Sequence, residues 1–332
     1  MSRILHRSRS PTDGEAYFLS GEEAARRVEF GSLDAPVFTE GQQRFQWPGK
    51  DRPIEQVLRY MGDLGFDRKV SAQAPNLSVQ GESYQSMTLQ EVQDQLFSEE
   101  PTDNPLNLLD LQTSLPSVLP AFLEGENCQL LRRVRDAALM GGSVERIAAS
   151  GEDWSTWRNV IEWGVVSEGG NNTASHMDAN AYSTWLTIQE GCIGFAWMSR
   201  PSRQEEAEWM SRPHSYVAGK WRYVVLSVGE TVFFPPGTIH LVFRIQGVQT
   251  YAQGGHILQW SNLVRWLEVV IAQMQNQDST NEEMASSAPQ LVHLVKGLVE
   301  NRIKAGRVEE LGGRDAVDRF FALVEVADSP SL

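Results

Sequence analysis

The sequence predicts an all-β core, a barrel or a sandwich, with helices before and after it. Three observations carry this. Between 158 and 260, short apolar segments alternate with Gly, Asn and Pro turns: Val160–Val166, Tyr182–Gln189, Gly194–Met198, Arg222–Leu226, Thr231–Phe234, His240–Ile245 and Thr250–Leu258. Seven such segments with even turn punctuation read as strands of a closed or two-layered β structure. After Trp260 the apolar period becomes helical, with Leu263, Trp266, Leu267, Val270, Ile271 and Met274 on one stripe. Finally, 332 residues at 41% hydrophobic composition suffice for one large core with a helical annex.

Along the chain, residues 1–15 are polar and read as a flexible tail. The region 16–157 is mixed. Gly21–Arg26 has helical spacing, Pro36–Phe38 reads as a strand entering the core, and Pro53–Met61 repeats apolar residues at helical spacing. Thr88 followed by Glu91 is a capping box opening a helix to Phe97. Four prolines between 98 and 120 surround Pro105–Leu111, which reads as an extended connection. The strand-rich core spans 158–260. A helical region spans 261–332, with further helices expected at about 288–304 and 314–326. Its apolar stripe suits either packing on the core or a dimer interface.

Charge narrows the function classes. Lys and Arg number 29 against 43 Asp and Glu, a net charge of −14. Direct nucleic-acid binding through phosphates needs clustered cations, and is not expected here. A basic peptide would suit such a surface better. No apolar run approaches the length of a membrane span, and the first residues lack an apolar leader. With two cysteines, Cys128 and Cys192, no disulfide framework is expected. A cytoplasmic or nuclear protein, not a secreted one, is the expectation.

The residues able to carry chemistry lie in the strand-rich segment. His176 and Asp178 are two apart, so on a strand both project to one face. His240 follows 62 residues beyond Asp178, after the turn Pro235-Pro236-Gly237-Thr238-Ile239. Two imidazoles and one carboxylate on one side of a metal are the donor set of non-haem Fe(II) sites, which leaves positions open for cosubstrate and O₂. A His-x-Asp pair alone is common; joined to a late His behind that turn, it is more specific. Trp185, Trp197, Trp221 and Trp260 are expected to pack the core rather than form a cation cage. His256, after Gly254-Gly255, reads as an ordinary strand histidine, with a supporting contact behind the metal ligands or a substrate contact as the alternatives, and His214 and His293 read as bystanders. Ser199–Pro213 reads as a solvated loop, with a lid helix as the alternative. No phosphate loop, dinucleotide fingerprint, zinc Cys pair or serine-nucleophile elbow occurs.

These strings resemble a known family. Thr173-Ala174-Ser175-His176-Met177-Asp178, followed by Thr184-Trp185-Leu186 and Glu190-Gly191, resembles the first metal-binding strand of the JmjC family and its sequel. Gly229-Glu230-Thr231-Val232-Phe233-Phe234-Pro235-Pro236-Gly237-Thr238-Ile239-His240 resembles the second, and Gly254-Gly255 matches a glycine pair on the next strand. The resemblance is specific over about 160–260 and weaker at Pro105–Leu111, which is similar to a lead-in of the lysine-demethylase branch. It implies a double-stranded β-helix, a jelly-roll of cupin-like type. It also implies an Fe(II)- and 2-oxoglutarate-dependent dioxygenase that hydroxylates protein side chains or demethylates methyl-lysine, histone tails included. By the same resemblance His176, Asp178 and His240 hold the iron, and Thr173 donates to the cosubstrate carboxylate.

One departure stands out. The family's lysine for the distal carboxylate of 2-oxoglutarate falls fifteen residues after the metal Asp, and here that residue is Ile193. A carboxylate buried without a cation is costly. Arg244, four residues after His240 and on the same strand face, is the best replacement, since its planar guanidinium takes a carboxylate bidentately. Lys220 and Arg222 are poorer candidates. The alternatives are a JmjC-like binding or scaffold protein without turnover, a small-molecule hydroxylase on the same fold, or a metal-dependent cupin that needs no oxoacid.

Overall fold

The computed structural model describes residues 1–30, 33–63, 65–73, 84–98, 100, 102–111, 119–140, 160–280 and 288–328. The expected boundary at 157 and residues 112–118, after the Pro105–Leu111 stretch, lie outside them. Among the described residues, thirteen strands form two sheets. They are β1 (Tyr17–Phe18), β2 (Val37–Glu40), β3 (Lys69–Gln73), β4 (Tyr84–Thr88), β5 (Asn107–Leu111), β6 (Trp163–Ser167) and β7 (Asn172–His176). Then follow β8 (Ser183–Glu190), β9 (Cys192–Met198), β10 (Trp221–Ser227), β11 (Glu230–Phe234), β12 (His240–Arg244) and β13 (Thr250–Ile257). The large sheet runs β1-β2-β11-β8-β13-β6-β5-β3-β4, and the small one β10-β9-β12-β7. From β6 onward the strands are eight, one more than the sequence suggested: β7, short and rich in polar residues, has no apolar run to announce it.

Burial explains the pattern. In β8 every residue but the last is buried, because β11 and β13 flank it and other elements cover its faces. The glycine pair of β13 is a packing requirement. A Cβ on Gly254 would meet the Trp163 ring at 2.2 Å, and one on Gly255 would meet the Ile161 carbonyl at 2.1 Å. The N-terminal strands add a second cluster, where Leu106 and Leu108 of the Pro105–Leu111 stretch pack with Ile54, Leu58, Leu89 and Val92. Thr88 and Glu91 form the expected reciprocal cap on the helix Leu89–Leu96.

Two expectations are corrected. The first fifteen residues are not a loose tail. Ser2–Arg7 form helix α1 with Ile4 buried, and Arg9 exchanges backbone hydrogen bonds with Trp221 and Tyr223 at 3.2 and 3.1 Å. Glu15 then grips the Arg222 guanidinium at 2.6 and 2.8 Å. Strand β10 is an edge with unpaired backbone groups, and the N-terminal segment supplies partners to it. Likewise, Ser199–Pro213 contains a helix, Arg203–Met210, opened by a Ser202–Glu205 cap and anchored by fully buried Trp209. Its single apolar anchor is too little for a periodic signal.

The C-terminal helices behave as expected. Leu263–Gln275, Ala288–Lys304 and Arg314–Ala327 are helical, and Leu263, Trp266, Leu267, Val270 and Ile271 are buried in the chain's own core. Trp185, Trp197, Trp221 and Trp260 are core residues too. No described helix is long and apolar enough to cross a membrane. The Leu263–Gln275 helix also holds the turn after β7. Gln273 accepts the Ala181 N–H at 3.0 Å and donates to the Asp178 carbonyl at 2.8 Å, while Trp266 Nε1 donates to the Asn180 carbonyl at 2.9 Å. That turn needs holding, because Asn180 and Ala181 both have positive φ, 54° and 50°, which costs a non-glycine residue about 1–2 kcal/mol. Gln273→Leu strands two buried backbone groups, each worth about 1–3 kcal/mol unpaired. Its urea midpoint should fall by a corresponding amount; an unchanged midpoint would show that the turn holds itself.

Candidate metal centre

His176 is the last residue of β7 and His240 the first of β12, and the two are direct cross-strand partners. Their ring centroids are 4.2 Å apart. Asp178 lies just past the end of β7, so the two-residue strand argument does not describe it. The chain has begun to turn, and the carboxylate reaches the histidines from that turn. Asp178 Oδ1 is 3.5 Å from His176 Nε2 and 3.6 Å from His240 Nε2. All three donor atoms lie within 4.8 Å of one another, so the group could hold a metal ion.

The surroundings fix which atoms point inward. Each histidine places Nδ1 on the backbone carbonyl two residues earlier, Ala174 at 2.8 Å and Thr238 at 3.0 Å. A carbonyl only accepts, so Nδ1 carries hydrogen and the Nε2 lone pairs face Asp178. Asp178 Oδ2 takes the Thr184 hydroxyl, which leaves Oδ1 as the free ligand atom. Such outer contacts orient ligands in metal sites generally. The protonation states also suit a cation. Burial, with His176 close by, holds His240 down to about 4, so its imidazole is neutral at pH 7. Burial alone would push the Asp178 carboxyl up, but the electrostatic influence of nearby His240, with a smaller one from His256, outweighs it and holds it well below the usual carboxylate range. An ionised carboxylate and neutral imidazoles are what metal binding needs.

The group lines a cavity of about 100 Å³ between the two sheets, several times the space one water needs. Its walls are mostly apolar, with Trp163, Leu186, Ile193, Phe195, Phe234 and Val242 prominent. Arg244 is the one cation among the lining residues. It is 7% exposed, not the surface strand charge it could have been. Nη1 sits 3.4 Å from the Asn171 carbonyl and from Thr173 Oγ1, and Nε has no partner. Among the described residues no carboxylate lies within ion-pair distance of it, and burial brings its pKa down to about 10. Arg244 stands directly across from Ile193 on β9, so both side chains share one face. Thr173 lines the same wall.

Of the remaining candidates, Lys220 is exposed and outside the cavity, and Arg222 is spent on Glu15. His214 and His293 are exposed. Burial pushes the Cys128 thiol up, making it inert. Sequence reasoning undervalued His256. It lines the cavity, its Nδ1 lies 2.9 Å from Thr184 Oγ1, and burial lowers its pKa. Thr184 was visible only as part of a motif string. Nothing in a sequence says that a threonine six residues after an aspartate folds back onto it. Compared with models of known protein families and with curated proteins, the chain matches none.

Two outcomes follow. Thr184→Val frees Asp178 Oδ2, and loss of such an orienting contact typically costs 10–100-fold in metal affinity; Mn(II) titration calorimetry measures it, and an unaltered affinity would refute the orienting role. Second, His240 is harder to protonate folded than unfolded, falling from 6.5 to about 4. The unfolded chain therefore binds the extra proton in that window, and the stability present above 6.5 is lost as pH falls toward 4. Urea midpoints of the metal-free protein at pH 7 and 4.5 should show this loss, with less of it in His240→Gln.

Proposed function

We propose that the protein is an Fe(II)- and 2-oxoglutarate-dependent oxygenase of JmjC type, built on a double-stranded β-helix. The observation that carries the reading is one cavity holding both a His-Asp-His group and a buried arginine without an anion. Support for the fold comes from the strand alternation: β6, β8, β11 and β13 belong to one sheet, β7, β9, β10 and β12 to the other. The donors fit iron, since two imidazoles and one carboxylate leave coordination positions free. When bound, Fe(II) with 2-oxoglutarate and O₂ would supply the oxidising chemistry that attacks a C–H bond.

The chain's own residues bind, orient and exclude water. His176, His240 and Asp178 Oδ1 would hold the metal. Arg244 would take the distal carboxylate of the cosubstrate, an anion that relieves its unpaired burial. Thr173, already 3.4 Å from the guanidinium, would share that carboxylate. Phe195 and Phe234 press on the His240 ring with centroids at 5.4 and 4.6 Å, keeping it in place and dry. The substrate on this reading is a protein, hydroxylated or demethylated, and the net charge of −14 favours a basic peptide such as a histone tail. Ile193, where the family has lysine, favours a second reading: a metal-binding JmjC-like protein without turnover.

Anaerobic addition of Fe(II) and then 2-oxoglutarate tests this. Bidentate oxoacid chelation should give a visible charge-transfer band, absent in His240→Ala. Leaving a buried charge unpaired costs about 2–5 kcal/mol, so Arg244→Ala should raise the 2-oxoglutarate Kd about thirtyfold or more. Fe(II) binding with no band would favour the second reading.

A further inference from the structure

A chain of hydrogen bonds leads away from the metal group. Asp178 Oδ2 contacts the Thr184 hydroxyl, and Thr184 Oγ1 lies 2.9 Å from His256 Nδ1. Thr184 and His256 are direct cross-strand partners on β8 and β13, so the contact is built into the sheet register. A threonine hydroxyl has one proton to donate, and an ionised carboxylate can only accept. The Thr184 proton therefore goes to Asp178. His256 must then supply the proton of the second bond, from Nδ1. In a neutral imidazole with its hydrogen on Nδ1, Nε2 is a bare acceptor. That atom makes no hydrogen bond to any described residue. The ring plane is held by its neighbours: it stacks on Tyr182 at 5.2 Å and 29°, and lies 5.7 Å from the Trp163 ring.

We infer that His256 is a substrate-recognition residue whose Nε2 offers a hydrogen-bond acceptor beside the metal group. It selects an occupant carrying an N–H or O–H donor, such as an amide, a hydroxyl or a protonated amine. An occupant without a donor would leave Nε2 unpaired as water is expelled, a penalty that discriminates strongly between otherwise similar molecules. The inference rests on the oxygenase reading for there being a substrate; the tautomer does not depend on it.

The test is long-range ¹H–¹⁵N correlation of the full chain labelled at histidine, at neutral pH, metal-free and with diamagnetic Zn(II). In the parent, His256 should be protonated on Nδ1 alone. In Thr184→Val, which removes the acceptor, its proton should move toward Nε2, the form a free imidazole prefers. Protonation of Nε2 in the parent, alone or with Nδ1, would overturn the inference without recourse to any variant. Selection is read from the His256 Nε2 shift on adding two probes of equal shape, acetamide and acetone. Acetamide alone should move it to a hydrogen-bonded position; an equal response to both, including none, defeats the selection. If Zn(II) leaves the His176 and His240 resonances unmoved, the metal reading fails separately, in the same spectra.

Discussion

Keeping an ionised carboxylate in the interior is a costly demand on this fold, and much of the local architecture is arranged around it. Asp178 sits among the strands with the two histidine rings 3.5 and 3.6 Å away, and burial by itself opposes its charge. One contact offsets part of that cost, and two others fix the geometry around it. Strand β8 contributes the Thr184 hydroxyl to Oδ2, while the Leu263–Gln275 helix ties down the Asp178 carbonyl through Gln273. Backbone carbonyls at Ala174 and Thr238 set the histidine tautomers so that lone pairs, not protons, meet the remaining oxygen. The arrangement is electrostatically incomplete without a cation, which is why it reads as a metal site rather than a structural network.

A second incompleteness has the opposite sign. Arg244 is as deeply buried as the metal-group residues and has no acidic partner among the described residues. Buried guanidinium groups are ordinarily paired. One cavity thus carries a site short of a cation and a site short of an anion, joined by about four residues of β12, or roughly 13 Å of strand. A small oxoacid bridging metal and arginine would complete both, and this complementarity underlies the proposed function. The pairing of Arg244 with Ile193 across β9 and β12 makes the missing lysine less of an objection than it looks in one dimension. The positive charge stands on the neighbouring strand, facing the same space.

Much of this was legible in advance. The strands from β8 onward lay within a residue or two of their expected bounds, because alternating apolar residues and Gly or Pro turns are local signals. The capping box at Thr88 and the stripe from Leu263 were readable for the same reason. Failures came where stability is not local. The first residues are ordered because Arg9 pairs with the edge of β10 and Ile4 is buried, and Arg203–Met210 because one tryptophan finds a buried slot. Neither cause has a periodicity. Strand β7, the one that delivers His176, has no apolar run to announce it, since Thr173 and His176 line the cavity, and only the family resemblance marked it as a strand.

What the sequence determined by itself was the donor inventory: two histidines and an aspartate of fitting type, glycines where Trp163 and the Ile161 carbonyl leave no room for a Cβ, and an arginine in register with His240. These follow from residue chemistry and from strand and turn geometry, which act over a few neighbours. The tertiary structure alone decided how those groups are used. It brought His240 opposite His176, folded Thr184 and His256 into a directed chain on Asp178, and buried Arg244 without an acid. Each of these depends on which strands pair and on what is shut away from water. Such long-range burial sets charge, tautomer and accessibility, and no short window of sequence contains it.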